Sequence, residues 1–243
     1  MNGRAAILQF EDVSKRYGSR AVVDHFTLSV AGGSIAALSG VNGSGKSTLF
    51  RIAAGFVRPF EGTISLIAPG AEPTLLLDLS PSQRALSGLS YISQDRLILS
   101  RLSTLENLRI ATAPQRLTST AIAESLRTLR LTRLIEQRPS TMSPTDVMLL
   151  LLARAYLMNP RFLLADEPFA RLDRRGVIHG MAILRKLRER GTGILLTDHS
   201  PKPLLAIADT VHIMQGGRLV YSDSAATTRT SAEARRLYFR THD

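Results

Sequence analysis

Apolar and polar positions alternate over Ile7–Val13 and again over Arg20–Val30, which predicts two strands joined through the turn Tyr17-Gly18-Ser19. Ala31-Gly32-Gly33 marks a second turn, and Ile35–Ser39 is apolar without alternation, as a strand buried on both faces would be. A glycine-rich stretch follows, after which Leu49–Phe56 takes helical spacing until Pro59 to Gly62 break it. Thr63–Ile67 predicts another strand. Residues 68–87 show no clear period, with Pro69, Gly70, Pro73 and Pro81 placed around Leu75-Leu76-Leu77. Leu89–Ser93 predicts a strand ending at Gln94, and from Ser103 to Arg138 the pattern turns helical, with Ile122, Leu126, Leu129 and Leu134 three to five residues apart. Ser143–Met158 predicts a helix stopped by Asn159-Pro160. The apolar strands Phe162–Ala165 and Gly193–Thr197 flank an amphipathic helix over Gly176–Arg190. Leu204–Ala208 reads as a helix, Val211–Met214 and Arg218–Tyr221 as a hairpin about Gly216-Gly217, and the tail from Ser231 as helical. Buried strands alternating with helices predict an α/β fold with a mainly parallel sheet.

Composition narrows the picture in three ways. The 243 residues contain no cysteine, which excludes disulfides, thiolate metal sites and cysteine nucleophiles and leans towards a reducing compartment. The longest apolar run, Val147–Ala153, is far short of the roughly 18 residues that cross a bilayer, and Glu11 and Asp12 interrupt the N-terminus before a signal-peptide core can form. The expectation is a cytoplasmic protein, able to lie against a membrane. The net charge of +11 rests on 31 Lys+Arg, of which 27 are Arg, against 20 Asp+Glu. Such a balance invites nucleic acid, an anionic membrane surface or phosphorylated ligands, or reflects genome composition.

The candidate chemistry begins at Gly40-Val41-Asn42-Gly43-Ser44-Gly45-Lys46-Ser47-Thr48, between a predicted strand and a predicted helix. The pattern G-x-x-x-x-G-K-S in that setting predicts phosphate binding: glycines let the backbone wrap the phosphate chain, and the N–H groups and helix N-terminus offer a positive cradle. Lys46 is placed to reach the β- and γ-phosphates, and the Ser47 hydroxyl to ligate Mg²⁺. A second strand ends in Asp166-Glu167, which predicts a metal-holding acid at Asp166 and, at Glu167, a base able to polarise an attacking water.

With these residues in order, the chain resembles the ATP-binding subunits of ABC transporters over nearly its whole length. The resemblance implies a P-loop nucleotide-binding domain over residues 1–243, with an antiparallel β subdomain and a helical subdomain at about 95–160. It implies ATP as the ligand, Mg²⁺ as cofactor, and hydrolysis coupled to transport. Tyr17 matches the family's adenine-stacking aromatic, and Gln94 the glutamine linking metal and nucleotide to the transmembrane partner. Phe169-Ala170-Arg171-Leu172-Asp173 matches the loop that crosses the dimer interface, and His199 the histidine that senses the γ-phosphate. The implied partners are integral membrane permease subunits and a second ATP-binding subunit, identical or not, on the inner face of the cell membrane. Within the family, Arg101–Leu108, Ala165–Ala170, Thr197–Ser200 and Arg235–Phe239 are similar to the lipopolysaccharide-export and branched-chain amino-acid branch.

One segment departs from the family. Where relatives carry Leu-Ser-Gly-Gly at a helix start that reaches the other subunit's nucleotide, this chain has Met142-Ser143-Pro144-Thr145-Asp146. Ser143 is kept and remains a candidate ATP contact, but Pro144 has no N–H to give a phosphate oxygen, and the Thr145 side chain is expected to fill space needed for close backbone approach. Val147–Leu152 then leaves that helix without a polar face, from core rearrangement or from an added partner contact. Two functions stay open at this level: a transport ATPase, slowed by its altered signature, and a weakly hydrolysing regulatory partner in an asymmetric complex. Nucleic acid is set aside, because soluble ABC proteins acting on it usually carry two such domains or long insertions. The charge agrees with this, since residues 1–100 carry a net +2 and residues 101–243 a net +9, away from the phosphate loop. That distribution predicts proximity to an anionic membrane surface.

Overall fold

In the computed structural model, which describes residues 5–198 and 200–239, alternation along β1 (Ile7–Tyr17) turns Leu8, Phe10 and Val13 inward. β1 pairs antiparallel with β2 (Arg20–Ala31) and with β4 (Glu61–Ile67), which in turn pairs with the two-residue β5 (Thr74–Leu75). β1 runs four residues past the predicted strand. Asp12 at φ +53 and His25 at φ +49 form an irregularity that shifts register, and this breaks the period-two signal beyond Val13. Between the antiparallel strands and the second sheet lies a core built on Phe10, Phe26, Phe50 and Phe162, all of them buried.

The second sheet contains β3 (Ile35–Ser39), β6 (Leu89–Ile92), β7 (Phe162–Asp166), β8 (Gly193–Thr197), β9 (Thr210–Gln215) and β10 (Arg218–Ser224). Among the described residues its order is β10-β9-β3-β8-β7-β6, parallel throughout except for the β9–β10 hairpin. β3, β7 and β8 are buried along their whole length, which explains their unbroken apolar runs.

Helix α1 (Lys46–Ala54) leaves β3 through the glycine-rich loop and stops at Gly55, left-handed at φ +87. Its last carbonyls are also held by a side chain that sequence reading passed over. The buried Arg84 donates to Ile52 O at 2.6 Å and Ala53 O at 2.8 Å. Arg84 lies on α2 (Pro81–Leu86), inside the stretch without a period. The signal for α2 was present in Ser80-Pro81-Ser82-Gln83, which forms a capping box with proline at the first helical position.

The predicted helical stretch from Ser103 to Arg138 is not continuous. It divides into α3 (Thr104–Ala111) and α4 (Ser119–Thr128), with 3-10 turns at Ala113–Gln115 and Thr132–Leu134. Pro114 and the new N-cap at Thr118 enforce the break. Helix α5 (Pro144–Met158) runs to a left-handed Asn159, as its Asn-Pro stop predicted. Residues 148–153 of α5 are at most 2% exposed and lie in the core cluster beneath α4 and α6 (Arg174–Glu189), so its apolar girdle is covered by this chain itself. Helices α7 (Pro201–Ile207), α8 (Ala225–Thr230) and α9 (Ala232–Phe239) complete the described residues.

Candidate active site

Strands β3, β8, β7 and β6 are consecutive neighbours and parallel, so their C-terminal ends open on one edge of the sheet, where α/β folds place their ligands. The glycine loop follows β3, Thr197 and Asp198 close β8, Asp166 and Glu167 close β7, and Gln94 comes two residues after β6. A cavity of about 340 Å³ lies there, lined by Asn42–Thr48, Val22, Gln94 and Glu167. Thus all the phosphate-loop candidates from Asn42 to Thr48 meet Gln94 and Glu167 in one space.

The loop's glycines are required by geometry. Gly40 sits at φ +149 with a would-be Cβ 2.1 Å from Met214 O, and Gly45 at φ +109 with one 2.3 Å from Val22 O. Any side chain would collide with backbone, so only glycine lets the chain wind this tightly ahead of α1. The Lys46 ammonium donates to Gly40 O at 2.6 Å, Val41 O at 3.0 Å and Ser44 Oγ at 3.3 Å. Burial pushes its pKa down, and the nearby Glu167 and Asp166 carboxylates oppose that shift. The lysine therefore stands as a desolvated donor beside the cavity.

Asp166 is 1% exposed and accepts a hydrogen bond from Thr197 Oγ1 at 2.7 Å. Glu167 has a left-handed backbone at φ +54, and its N–H donates to Thr197 O and Oγ1, both at 3.1 Å. Such a backbone is uncommon outside glycine and asparagine, and here a tertiary contact fixes it and turns the carboxylate towards the loop. Gln94 Nε2 donates to Glu167 Oε2 at 3.0 Å, which leaves the amide oxygen of Gln94 for a cation. The phosphate-sized concavity, the glycine winding and the buried ammonium fit a nucleoside triphosphate. Ser47, Gln94 and Asp166 offer only oxygens, the donor set a hard divalent cation such as Mg²⁺ takes.

Tyr17 and Ser143 do not line this space. Tyr17 lies at the tip of the β1–β2 hairpin, 52% exposed, with Lys15 Nζ over its ring at 5.1 Å. Ser143 caps α5: its Oγ accepts from Asp146 N–H at 3.1 Å and donates to Asp146 Oδ2 at 3.0 Å. The Asp146 carboxyl is held below its ordinary range, first by the Arg133 guanidinium that ion-pairs with it and then by the Ser143 hydroxyl. Thr145 sits beside Gly176 of α6. Its Cγ2 would be 2.4 Å from a Cβ at Gly176, so the side chain packs towards α6. The absence of a side chain at Gly176 makes that rotamer possible. His199 lies outside the described residues.

Sequence reading missed Thr197 and Asp198 as organisers. Asp198 Oδ2 accepts from Phe169 N–H at 3.0 Å and Oδ1 from Ser200 N–H at 2.9 Å, which fixes the loop after Glu167. Their position at the end of a buried strand was the available signal. Arg96 was missed as well, and nothing local in the sequence marks it.

Comparison with known proteins agrees with this geometry. Residues 23–170 match the model of the ABC transporter family. The chain is 31% identical over 236 residues to the lipopolysaccharide export system ATP-binding protein LptB of Acidithiobacillus ferridurans, covering 96% of each protein. It is 31% identical over 239 residues to the protein of that name from Haemophilus influenzae, covering 96% of this chain and 97% of the relative. Among solved structures, an ATP-binding subunit of an ABC transporter superposes with TM-score 0.81 at 26% identity, covering 98% of this chain and all of the other. A bacterial ABC transporter cassette solved as a dimer gives TM-score 0.79 at 20% identity, with 90% of this chain covered and 98% of the other.

Proposed function

The chain belongs to the ABC transporter family, and from that membership we propose how its residues divide the work of ATP binding and hydrolysis. It is an ATP-binding subunit with ATPase activity that powers a membrane transporter, and such cassettes work with permease subunits and dimerise. The observation that carries our assignment is the convergence of Asn42–Thr48, Gln94 and Glu167 on one cavity at the ends of adjacent parallel strands.

In this reading the N–H groups of the loop and the N-terminus of α1 bind the phosphates, with Tyr17 as the adenine platform. Lys46 exchanges its carbonyl partners for phosphate oxygens. Ser47, Asp166 and Gln94 would hold Mg²⁺, which when bound offsets negative charge on the phosphates. Glu167 accepts a proton from the attacking water, and His199 takes the role of the family's γ-phosphate-sensing histidine. Residues 95–160 form the helical subdomain, and Ser143 at the start of α5 faces the nucleotide of the second subunit.

The permease would dock at a groove near Gln94. Phe56 (59% exposed) and Leu97 (63%) line a cavity of about 330 Å³ with Tyr91 and Arg154, and Leu86 and Ile110 lie exposed along its continuation. Large apolar side chains gathered on one face mark a protein contact. No helix among the described residues is long and apolar enough to cross a membrane, and we place the protein at the cytoplasmic face of one through this contact and its basic charge. The relatives point to a lipopolysaccharide-type cargo, chosen by the membrane subunits.

Substituting Glu167→Gln tests the assignment. Turnover should fall by about 10²- to 10⁴-fold while Mg·ATP binding persists. Unchanged turnover would favour the second reading, a regulatory partner with little hydrolysis of its own, for which the altered Pro144-Thr145 start of α5 is the supporting observation.

A further inference from the structure

Arg96 follows Gln94 by two residues, half-buried, with its backbone left-handed at φ +48. Its guanidinium spans two segments that are distant in sequence. Nη1 donates to Pro144 O, at the first residue of α5, at 2.8 Å, and Nη2 donates to Ala170 O, in the loop before α6, at 2.6 Å. Enclosure lowers its pKa, and the neighbouring Arg171 adds to the shift. A planar fork held by two carbonyls fixes their separation in a way that a lysine ammonium does not.

Gln94-Asp95-Arg96 is therefore tied at both ends. Gln94 is bonded to Glu167 at the phosphate cavity, and Arg96 to the two segments that on our reading face the second subunit. A displacement of Gln94 towards a cation moves the anchor of the guanidinium with it. We infer that Arg96 is a positioning residue that transmits occupancy of this chain's own nucleotide site to the start of α5 and to the 169–173 loop. The role has particular weight in this chain. Pro144 and Thr145 replace glycines in the signature, so the start of α5 has lost the backbone freedom that lets it settle onto a phosphate, and its placement falls to contacts from behind. Arg96 on Pro144 O and Arg133 on Asp146 are two such contacts.

The inference rests on the assignment of Gln94 and Glu167 above, and amide hydrogen exchange on the full chain separates the two. In the Glu167→Gln protein, Mg·ATP should slow exchange in residues 40–50 and also alter it in residues 143–148 and 168–173. Adding Arg96→Ala should abolish the change in the latter two segments and leave protection of residues 40–50 intact. With Glu167 present, Arg96→Ala should lower kcat about tenfold or more, with KM for ATP within about twofold. Arg96→Lys should not restore it. The inference is overturned if Arg96→Ala retains the ATP-induced change at both remote segments, if it loses protection of residues 40–50 as well, or if the Glu167→Gln parent shows no remote change. Failure of ATP to protect residues 40–50 in that parent would instead overturn the nucleotide-site assignment.

Discussion

Glu167 holds a backbone conformation that a non-glycine residue adopts at a cost of about 1–3 kcal/mol, and it does so at the point where the carboxylate meets Gln94. Two hydrogen bonds from its N–H to Thr197 offset that strain, so Thr197 works on Asp166 and Glu167 together. The same contrast between strain and contact separates the loop glycines. Gly45→Ala would place Cβ 2.3 Å from Val22 O, whereas a Cβ at Gly43 meets only Arg20 Nη2 at 3.9 Å. Gly45→Ala should therefore abolish measurable Mg·ATP binding and lower Tm by about 5 °C or more, and Gly43→Ala should cost about 1 kcal/mol of backbone strain alone. Calorimetric melting and nucleotide titration of both variants check this, and equal effects would contradict it. At this scale the phosphate loop, Asp166 and Glu167 were legible because their chemistry is local in sequence. Thr197, Arg84 and Arg96 were not, because the contacts through which they organise the site and α1 join groups 30 or more residues apart.

Helix α5 shows what an element can conceal. Its cap was readable, with Ser143 at N-cap, Pro144 at N1 and Asp146 at N3, and all three occupy those positions. The destination of its apolar girdle was not readable, since a core helix and a docking helix share that pattern. Contacts with α4 and α6 decide for the core. Thr145 likewise turns to α6 because Gly176 leaves room, while Pro144 has no N–H to give at the helix start. Replacing Pro144 and Thr145 together by glycine should raise kcat about tenfold, the value of one charge-assisted hydrogen bond of about 1.5 kcal/mol in the transition state. The same change should lower Tm, through loss of a preorganised N1 proline and of the Thr145 packing. Steady-state ATPase assays and thermal melts measure both, and an unchanged kcat would mean that this helix start does not limit turnover.

Over the whole molecule, stability should depend on pH through a group that no motif marked. His212, in the central sheet, bonds Ser222 through Nδ1 at 2.8 Å and Thr210 through Nε2 at 3.1 Å, and burial drops its pKa to about 4. The unfolded chain binds this proton at about 6.5, so between those values it holds more protons than the native chain and stability falls as pH falls. The loss between pH 7 and pH 5 should be about 2 kcal/mol, read from urea midpoints, and His212→Gln should remove most of that slope. A slope unchanged in the variant would assign it to other groups. The sequence by itself determined the strand and helix alternation, the phosphate loop, the acid pair and the caps, because hydrophobic period and turn chemistry act over a few residues. Only the tertiary structure decided that β3, β8, β7 and β6 lie side by side, that Gln94 meets Glu167 and that Arg96 joins α5 to the loop before α6. Strand order and side-chain reach bring these groups together from residues 40 to 197, and no local pattern encodes an adjacency created by the packing of the sheet.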